Sequence, residues 1–202
     1  MTETKPPIQL AGSTLNRTRH ACAFFNSREE EDGVLLPFMK EGFERGERQC
    51  HIVDPEHRPD RMRRLAEAGV CPDCAQVDVR PWEAAHLTGG RFDKEAMLAL
   101  VQESMESHKG SGLTRWWGNM EWALTGAAGV EDLIEYESRL NYIIPKYDDV
   151  VVCTYDLNKF GARVVMDVMR THPMVIIGGI LQENPFYVPP DEFLRELKGR
   201  AA

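Results

Sequence analysis

Apolar and polar positions change their spacing along the first third of the chain, and the change predicts its first elements. Residues 20–25 (HACAFF) form a short apolar, aromatic run that is typical of a buried strand. Ser27 then precedes a cluster of carboxylates, which predicts a helix start because its hydroxyl accepts from a free N–H and acids favour this end of the helix dipole. Apolar residues recur every three or four positions as far as Phe43. A second strand at 49–53 completes a predicted β-α-β unit with a right-handed crossover.

The rest of the chain continues this alternation of strands and helices. Further strands are predicted at 76–79, 113–117 and 149–154, and further helices at 58–68, 93–108, 130–144, 160–170 and 191–198. Gly178-Gly179 lies between two apolar runs and is typical of a β-hairpin. Residues 1–18 are polar, and we expect them to form a flexible lead-in. Residues 19–200 are predicted to form a single α/β domain, with a mainly parallel open sheet and helices on both faces.

The turn after the first strand is the place where many nucleotide-binding proteins carry a phosphate loop. Such a loop needs glycines, so that backbone N–H groups can approach the phosphates, and a Lys followed by Ser or Thr. Residues 25–32 contain neither glycine nor lysine, and residues 29–32 are four consecutive acids. The layout therefore resembles a nucleotide-binding sheet that has lost its phosphate site.

Composition and charge narrow the class of protein. A formal net charge of -8 argues against binding to nucleic acid or to an anionic membrane surface. The sequence shows no apolar run of membrane-spanning length and no secretory signal, so we expect a cytoplasmic protein. Five cysteines, an odd number, favour reduced thiols in that compartment.

Cysteine and histidine spacing gives little support for a metal site. A closed zinc site needs four ligands, and the single pair with ligand spacing, Cys71 and Cys74, supplies two. His20 and Cys22 lie two apart on a strand and share a face, so they are further candidates, whereas His172 fits a structural role at a helix end. We expect no bound metal and no other cofactor. A zinc- or thiol-dependent protein that uses the Cys71–Cys74 loop stays as an alternative.

Candidate binding residues gather where the parallel strands end, because ligands of open α/β sheets bind outside these carboxyl ends. Aromatic side chains with a few hydrogen-bonding groups there predict an apolar small-molecule pocket. The candidate ligand-binding residues are Phe25, Asn26, Asp54, Trp117, Asn119, Glu121, Trp122, Tyr155 and Asp156, together with His20 at the start of the first strand. The alternative is that the tryptophans belong to the core. Glu121 and Asp156 could act as an acid–base pair, but no nucleophile or metal is placed beside them, so catalysis is not predicted.

Several short segments, in this order along the chain, resemble one family. The segments are HACAFF at 20–25, LPFMKEG at 36–42 with GER at 46–48, RWWGNMEWAL at 115–124, EYE at 135–137 with Asn141, CTYD at 153–156, THP at 171–173 and NPFY at 184–187. Together they resemble the MEDS domain, the methanogen/methylotroph DcmR-type sensory domain. Asn119 and the Cys71–Cys74 loop depart from the pattern expected of that family.

The resemblance implies a noncatalytic sensor of small hydrocarbon derivatives, on a fold similar to clock- and recombinase-type ATPases without their phosphate loop. Relatives often carry a helix-turn-helix or a kinase domain, and this chain shows neither, so we expect its output to pass to a separate protein effector. The expected partners are thus a small molecule and that effector, with no direct contact to nucleic acid or membrane; a homo-oligomer is left open. A protein-interaction module whose pocket has filled with side chains is the alternative.

We predict that the protein neither binds nor hydrolyses ATP, because it lacks a phosphate loop and its first turn is acidic. Isothermal titration calorimetry with and without magnesium checks this prediction. Saturable, magnesium-dependent binding in the micromolar range would contradict it.

Overall fold

The computed structural model describes residues 7–15, 19–110 and 112–200. The strands are β1 (Ile8–Leu10), β2 (Ser13–Leu15), β3 (His20–Phe25), β4 (Arg48–Val53), β5 (Val77–Pro81), β6 (Thr114–Asn119), β7 (Val150–Asp156), β8 (Met174–Ile177) and β9 (Ile180–Glu183). The helices are α1 (Arg28–Glu44), α2 (Arg58–Glu67), α3 (Lys94–Ser107), α4 (Leu133–Leu140), α5 (Ala162–Thr171) and α6 (Pro190–Arg200). None of these helices has the length and apolar composition needed to cross a membrane.

A seven-stranded sheet with the order β5-β4-β6-β7-β3-β8-β9 forms the centre of the domain. Its strand pairs are parallel except for the last, β8 with β9, which is antiparallel. The sheet is covered on both faces. Residues 21, 23 and 25 of β3 pack on the side of α1 and α2, whereas residues 22 and 24 pack on the side of α3, α4 and α5. The predicted fold class, a single α/β domain with a mainly parallel open sheet, is confirmed.

Local signals in the sequence explain where the main elements begin and turn. The Ser27 hydroxyl accepts from the Glu30 N–H at 3.2 Å, and the Asp93 carboxylate accepts from the Ala96 N–H at 3.1 Å, so both predicted helix caps are confirmed. Gly178 and Gly179 have φ values of 57° and 72°, a region that side chains disfavour, and they join β8 to β9 as the predicted hairpin.

Two predictions about the chain's organisation need correction. The flexible lead-in is wrong for residues 8–15, because β1 and β2 form an antiparallel hairpin with Ile8, Leu10 and Leu15 buried; residues 1–6 and 16–18 lie outside the described part. The helix predicted over 130–144 is shorter: α4 is preceded by the 3-10 turn Val130–Asp132 and followed by another at Ile144–Lys146. Pro145 in that second turn lacks the N–H that an α-helix would need.

The cysteines also differ from expectation. Cys71 and Cys74 form a disulfide, so the prediction of reduced thiols is wrong for this pair. Their sulfur atoms bond to each other, and the loop therefore does not offer the two thiolates that the zinc alternative required. The free cysteines of the described chain are Cys22, Cys50 and Cys153, and all of them are buried.

A buried ion pair joins the sheet to α1. The fully buried side chain of Arg115 donates from Nε to Glu47 Oε2 at 2.7 Å and from Nη1 to Glu41 Oε2 at 3.0 Å. Gly42 leaves room for it, since a Cβ at that position would lie 2.5 Å from Arg115 Nε. A buried charge needs such partners, because losing one of them leaves the other uncompensated in a low-dielectric interior.

Replacing Arg115 by Leu is therefore expected to lower the free energy of unfolding by about 3 kcal/mol, the low end of the range for a broken buried ion pair, because Glu47 loses its fully buried cation and keeps Arg45 at 2.9 Å. Arg63→Ala serves as the control, since Arg63 pairs with Asp60 and Glu67 at the exposed surface and should contribute little. Urea unfolding of the three proteins measures the difference. Equal losses of unfolding free energy in the two variants would show that the buried ion pair stabilises the fold no more than the exposed one.

Candidate functional site

Most of the predicted ligand-binding residues do meet at the carboxyl edge of the sheet. Two adjoining grooves lie there and share Arg28, Glu31 and Asn119. The first groove also contains Asp54, and the second contains Phe25, Glu121, Tyr155 and Asp156. Asn26 lies on the same edge, where its backbone N–H donates to Glu30 Oε2 at 2.8 Å. His20, Trp117 and Trp122 lie elsewhere.

The first groove is strongly charged. Asp32 on α1 faces two guanidinium groups of α2, with Arg61 Nη1 at 3.0 Å from Oδ1 and Arg64 Nη1 at 2.6 Å from Oδ2. Burial raises the pKa of Asp32, and the two arginines act in the opposite direction. The acids of the first turn, which would repel a triphosphate, are thus paired with arginines of the neighbouring helix. The first groove is thus charged, whereas the sequence predicted an apolar, aromatic pocket at this edge.

Trp117 lies beneath that groove and has a structural environment. Its indole N–H donates to Glu31 Oε1 at 2.6 Å, and the guanidinium of Arg61 lies 3.4 Å from the centre of its ring. The side chain is buried, with 1% of its surface exposed. These contacts fix Trp117 between β6 and α2, which agrees with the alternative that it belongs to the core.

The second groove is a network of polar contacts. The Glu121 N–H donates to Asn119 Oδ1 at 3.2 Å, and the Glu121 carboxylate pairs with the ammonium group of Lys159. Lys159 also lies 3.7 Å from Asp156 Oδ2. Because a lysine joins the two carboxylates, they are held as an ion-pair network. A polar ligand would suit this groove better than a hydrocarbon.

An apolar cavity lies on the other side of the sheet, between β6 and the helices α3 and α4. Its volume is about 30 Å³, which is room for one or two water-sized groups. The lining residues are mostly apolar: Ile52, His86, Met97, Val101, Trp116, Gly118, Met120, Tyr136, Leu140, Val151 and Cys153. The predicted site missed this cavity. Adjacent residues of a strand face opposite sides of the sheet. The Trp116-Trp117 pair therefore indicates that one of the two tryptophans faces the side of α3 and α4, and this residue is Trp116.

An aromatic stack adjoins this cavity through His86. Trp122 is fully buried and stacks on His86, with 4.7 Å between the ring centres, and it also contacts Phe92 at 4.3 Å. Burial lowers the pKa of His86 to about 3, with a small opposing effect of Glu137, so this imidazole is neutral. Its Nδ1 has no hydrogen-bond partner among the described residues. His86 therefore offers a polar atom inside an otherwise apolar site.

A buried polar cluster borders the same cavity through Cys153. Glu137 on α4 is at its centre, and its Oε2 lies 3.4 Å from His20 Nε2 and 3.2 Å from His172 Nε2. The hydroxyl of Tyr155 donates to Glu137 Oε1 at 2.5 Å, and Cys153 Sγ lies 3.6 Å from Oε2. His20 thus belongs to this cluster and lies away from the carboxyl edge. His172, expected at a helix end, is part of it as well.

The charges in the cluster set its protonation. Burial raises the pKa of Glu137, but the charge and hydrogen bond of His172, helped by those of His20, outweigh burial and hold that pKa far below its usual range. Burial, with the charge of Glu137, raises the pKa values of the Cys153 thiol and of Tyr155 well above normal. The cluster therefore contains a carboxylate beside a protonated thiol and a protonated phenol.

Replacing His86 by Phe is expected to reduce the loss of stability in acid. Because the pKa of His86 is lowered from 6.5 to about 3, the unfolded chain binds a proton between these values that the folded chain does not, and stability falls as pH falls through this window. The slope of the unfolding free energy against pH should be smaller in the variant than in the wild type, by up to about 1.4 kcal/mol per pH unit. Urea unfolding across this pH range measures the slope, and His57→Gln, at a partly exposed position, is the mutational control. An unchanged slope would contradict the assignment of a buried neutral His86.

Comparison with known proteins places these features in a family. The model of one protein family matches residues 19–173, from β3 to the residue before β8. That family is described as MEDS, "MEthanogen/methylotroph, DcmR Sensory domain". The transcriptional repressor DcmR of Methylorubrum extorquens is 23% identical over 167 residues, which cover 81% of this chain and 62% of the repressor. The chain thus spans less than two thirds of that relative's length. The match contains the cavity, the carboxyl edge and the buried cluster, and the chain belongs to the MEDS sensory-domain family.

Proposed function

We propose that the protein is a noncatalytic sensory domain, which binds a small hydrocarbon derivative in the apolar cavity between β6 and the helices α3 and α4. Membership of the family and the likeness to a transcriptional repressor indicate a sensory or regulatory role. The observation that carries the ligand proposal is the cavity itself, with its apolar lining and the unpartnered Nδ1 of His86. The proposed place of action is the cytoplasm, where a transcription regulator works.

The chemistry of the two candidate regions favours the cavity over the carboxyl edge. Each CH₂ group moved from water into an apolar site contributes about 0.8 kcal/mol, so a short hydrocarbon gains most where no charge has to be desolvated. The edge grooves are built from paired carboxylates and cations. In the cavity, a ligand with one polar group could bond His86 Nδ1 while its carbon atoms contact Trp116 and Met120.

The cavity is small but its walls can adapt. Met97 and Met120 line it, and the unbranched thioether side chain of methionine repacks more easily than a branched or aromatic one. A ligand of a few non-hydrogen atoms would therefore fit after modest side-chain movement. This size agrees with a simple hydrocarbon derivative as ligand class.

Signalling requires that the ligand favour one arrangement of the protein over another. The cavity touches α3 through Met97 and Val101, and α4 through Tyr136 and Leu140. A ligand that separates or tightens these helices would change the outer surface that they present. We propose that a separate protein effector recognises that surface.

A panel of short hydrocarbons, each with one halogen, hydroxyl or amine group, should contain a compound that raises the melting temperature and changes tryptophan fluorescence saturably. A ligand at 100 times its Kd stabilises the fold by about 2.7 kcal/mol. Val101→Phe fills the cavity and should abolish both responses. Two controls should keep them: Asn119→Ala alters the carboxyl edge, and Val175→Phe makes the same substitution in the core outside the cavity lining.

The outcomes separate the possible functions. A response lost in Asn119→Ala but kept in Val101→Phe would place the ligand at the carboxyl edge and contradict the cavity proposal. No response to any compound in the wild type would favour the protein-interaction module, whose pocket is filled by its own side chains.

A further inference from the structure

We propose that His20, Glu137, Cys153 and His172 bind a zinc ion in the interior of the domain. One ligand atom from each residue lies within 4.8 Å of all the others, and the four side chains are buried. They come from β3, α4, β7 and the residue after α5, so a bound ion would join four separate elements of the fold.

The distances between these atoms match the edges of a tetrahedral zinc site. Zinc bonds of about 2.0–2.1 Å to nitrogen or oxygen and about 2.3 Å to sulfur imply ligand separations of about 3.3 Å, or about 3.6 Å where sulfur takes part. Glu137 Oε2 lies 3.2 Å from His172 Nε2 and 3.4 Å from His20 Nε2. Cys153 Sγ lies 3.6 Å from Glu137 Oε2 and 3.8 Å from His20 Nε2. Four of the six separations thus match those of ligands on one ion, and all six are within 4.8 Å.

Both imidazole rings are held with a free lone pair facing the cluster. His20 Nδ1 lies 3.0 Å from Asn141 Oδ1, and the Asn141 amide group is oriented by its own donation to Thr171 O at 2.7 Å. His172 Nδ1 lies 2.9 Å from the Val168 carbonyl oxygen, which can only accept. Each Nδ1 therefore carries the proton, and in the neutral ring Nε2 does not. Ligating histidines are typically oriented in this way, through a hydrogen bond of the other ring nitrogen.

Without a cation, the cluster is poorly satisfied. Both Nε2 atoms lie against the same carboxylate oxygen, Glu137 Oε2, so two neutral imidazoles would direct their lone pairs at an oxygen that can only accept. Zn²⁺ with the Glu137 carboxylate, the Cys153 thiolate and two neutral imidazoles is electrically neutral. On binding, the Cys153 S–H bond breaks, a Zn–S bond forms and the proton leaves to solvent, without any redox change.

The spacing of these ligands along the chain does not indicate a metal site. The zinc proposal therefore replaces the expectation from the sequence that no metal is bound. The four ligands are spread over more than 150 positions, and the close pair Cys71–Cys74 is not among them. A site closed by four protein ligands is typical of structural zinc, and such ions are bound as the chain folds. The proposal does not depend on a ligand in the cavity, because Cys153 is the one proposed zinc ligand that lines the cavity, and His20, Glu137 and His172 do not.

Zinc content after dialysis against a weak chelator tests the proposal. We expect one zinc per chain in the wild type and in the Cys71→Ser/Cys74→Ser double variant, and loss of the metal in His172→Gln and in Cys153→Ser. Asn141→Ala, which removes the partner of His20 Nδ1, should weaken zinc affinity about 10- to 100-fold. Metal-free wild type that refolds with a chelator to the native melting temperature would overturn the proposal. Zinc that survives in His172→Gln would also overturn it.

X-ray absorption spectroscopy of the wild type tests the same site if the variants fold poorly. It should show four ligands with a single sulfur at about 2.3 Å and the others at about 2.0–2.1 Å. A zinc shell without sulfur, or with two or more sulfur atoms, would place the ion elsewhere.

Discussion

The buried carboxylate of Glu137 is the constraint around which the interior of this domain is arranged. A charged group without water needs partners on every side, because an unsatisfied one costs several kcal/mol. Its partners come from three other elements: His20 from β3, Cys153 and Tyr155 from β7, and His172 from the end of α5. The charge on α4 therefore fixes how that helix sits on the sheet. Cys153 also lines the apolar cavity, so the buried cluster and the cavity share strand β7 and helix α4.

The sheet separates two environments with different chemistry. On the side of α1 and α2, two arginines of α2 pair with Asp32 of α1, and the edge is charged. On the side of α3 and α4, an apolar cavity contacts an aromatic stack and one neutral histidine. Trp116 and Trp117, adjacent in sequence, belong to these opposite sides. The mainly parallel sheet thus has charged grooves at its carboxyl edge and an apolar cavity inside, between the sheet and the helices.

Elements with a strong local signal could be predicted from the sequence. The strand at His20–Phe25, the caps Ser27 and Asp93 and the hairpin at Gly178-Gly179 depend on neighbouring residues, and all of them are confirmed. The carboxyl-edge residues could also be grouped, since parallel strands end together. The buried cluster and the cavity depend on which strand residues meet across the sheet and on how α4 docks, and single-sequence spacing does not contain that information. The disulfide and the first hairpin also lack a strong local signal, because each depends on how a short loop folds back on itself.

The central claim is that the cavity between β6 and the helices α3 and α4 admits a small apolar molecule. Xenon binds such cavities under pressure and is located directly by its anomalous scattering in a crystal. We expect a xenon site bounded by Trp116, Met120 and Tyr136, and no comparable site in the charged grooves at the carboxyl edge. A crystal that takes up no xenon in this cavity at pressures where other apolar cavities fill would contradict it.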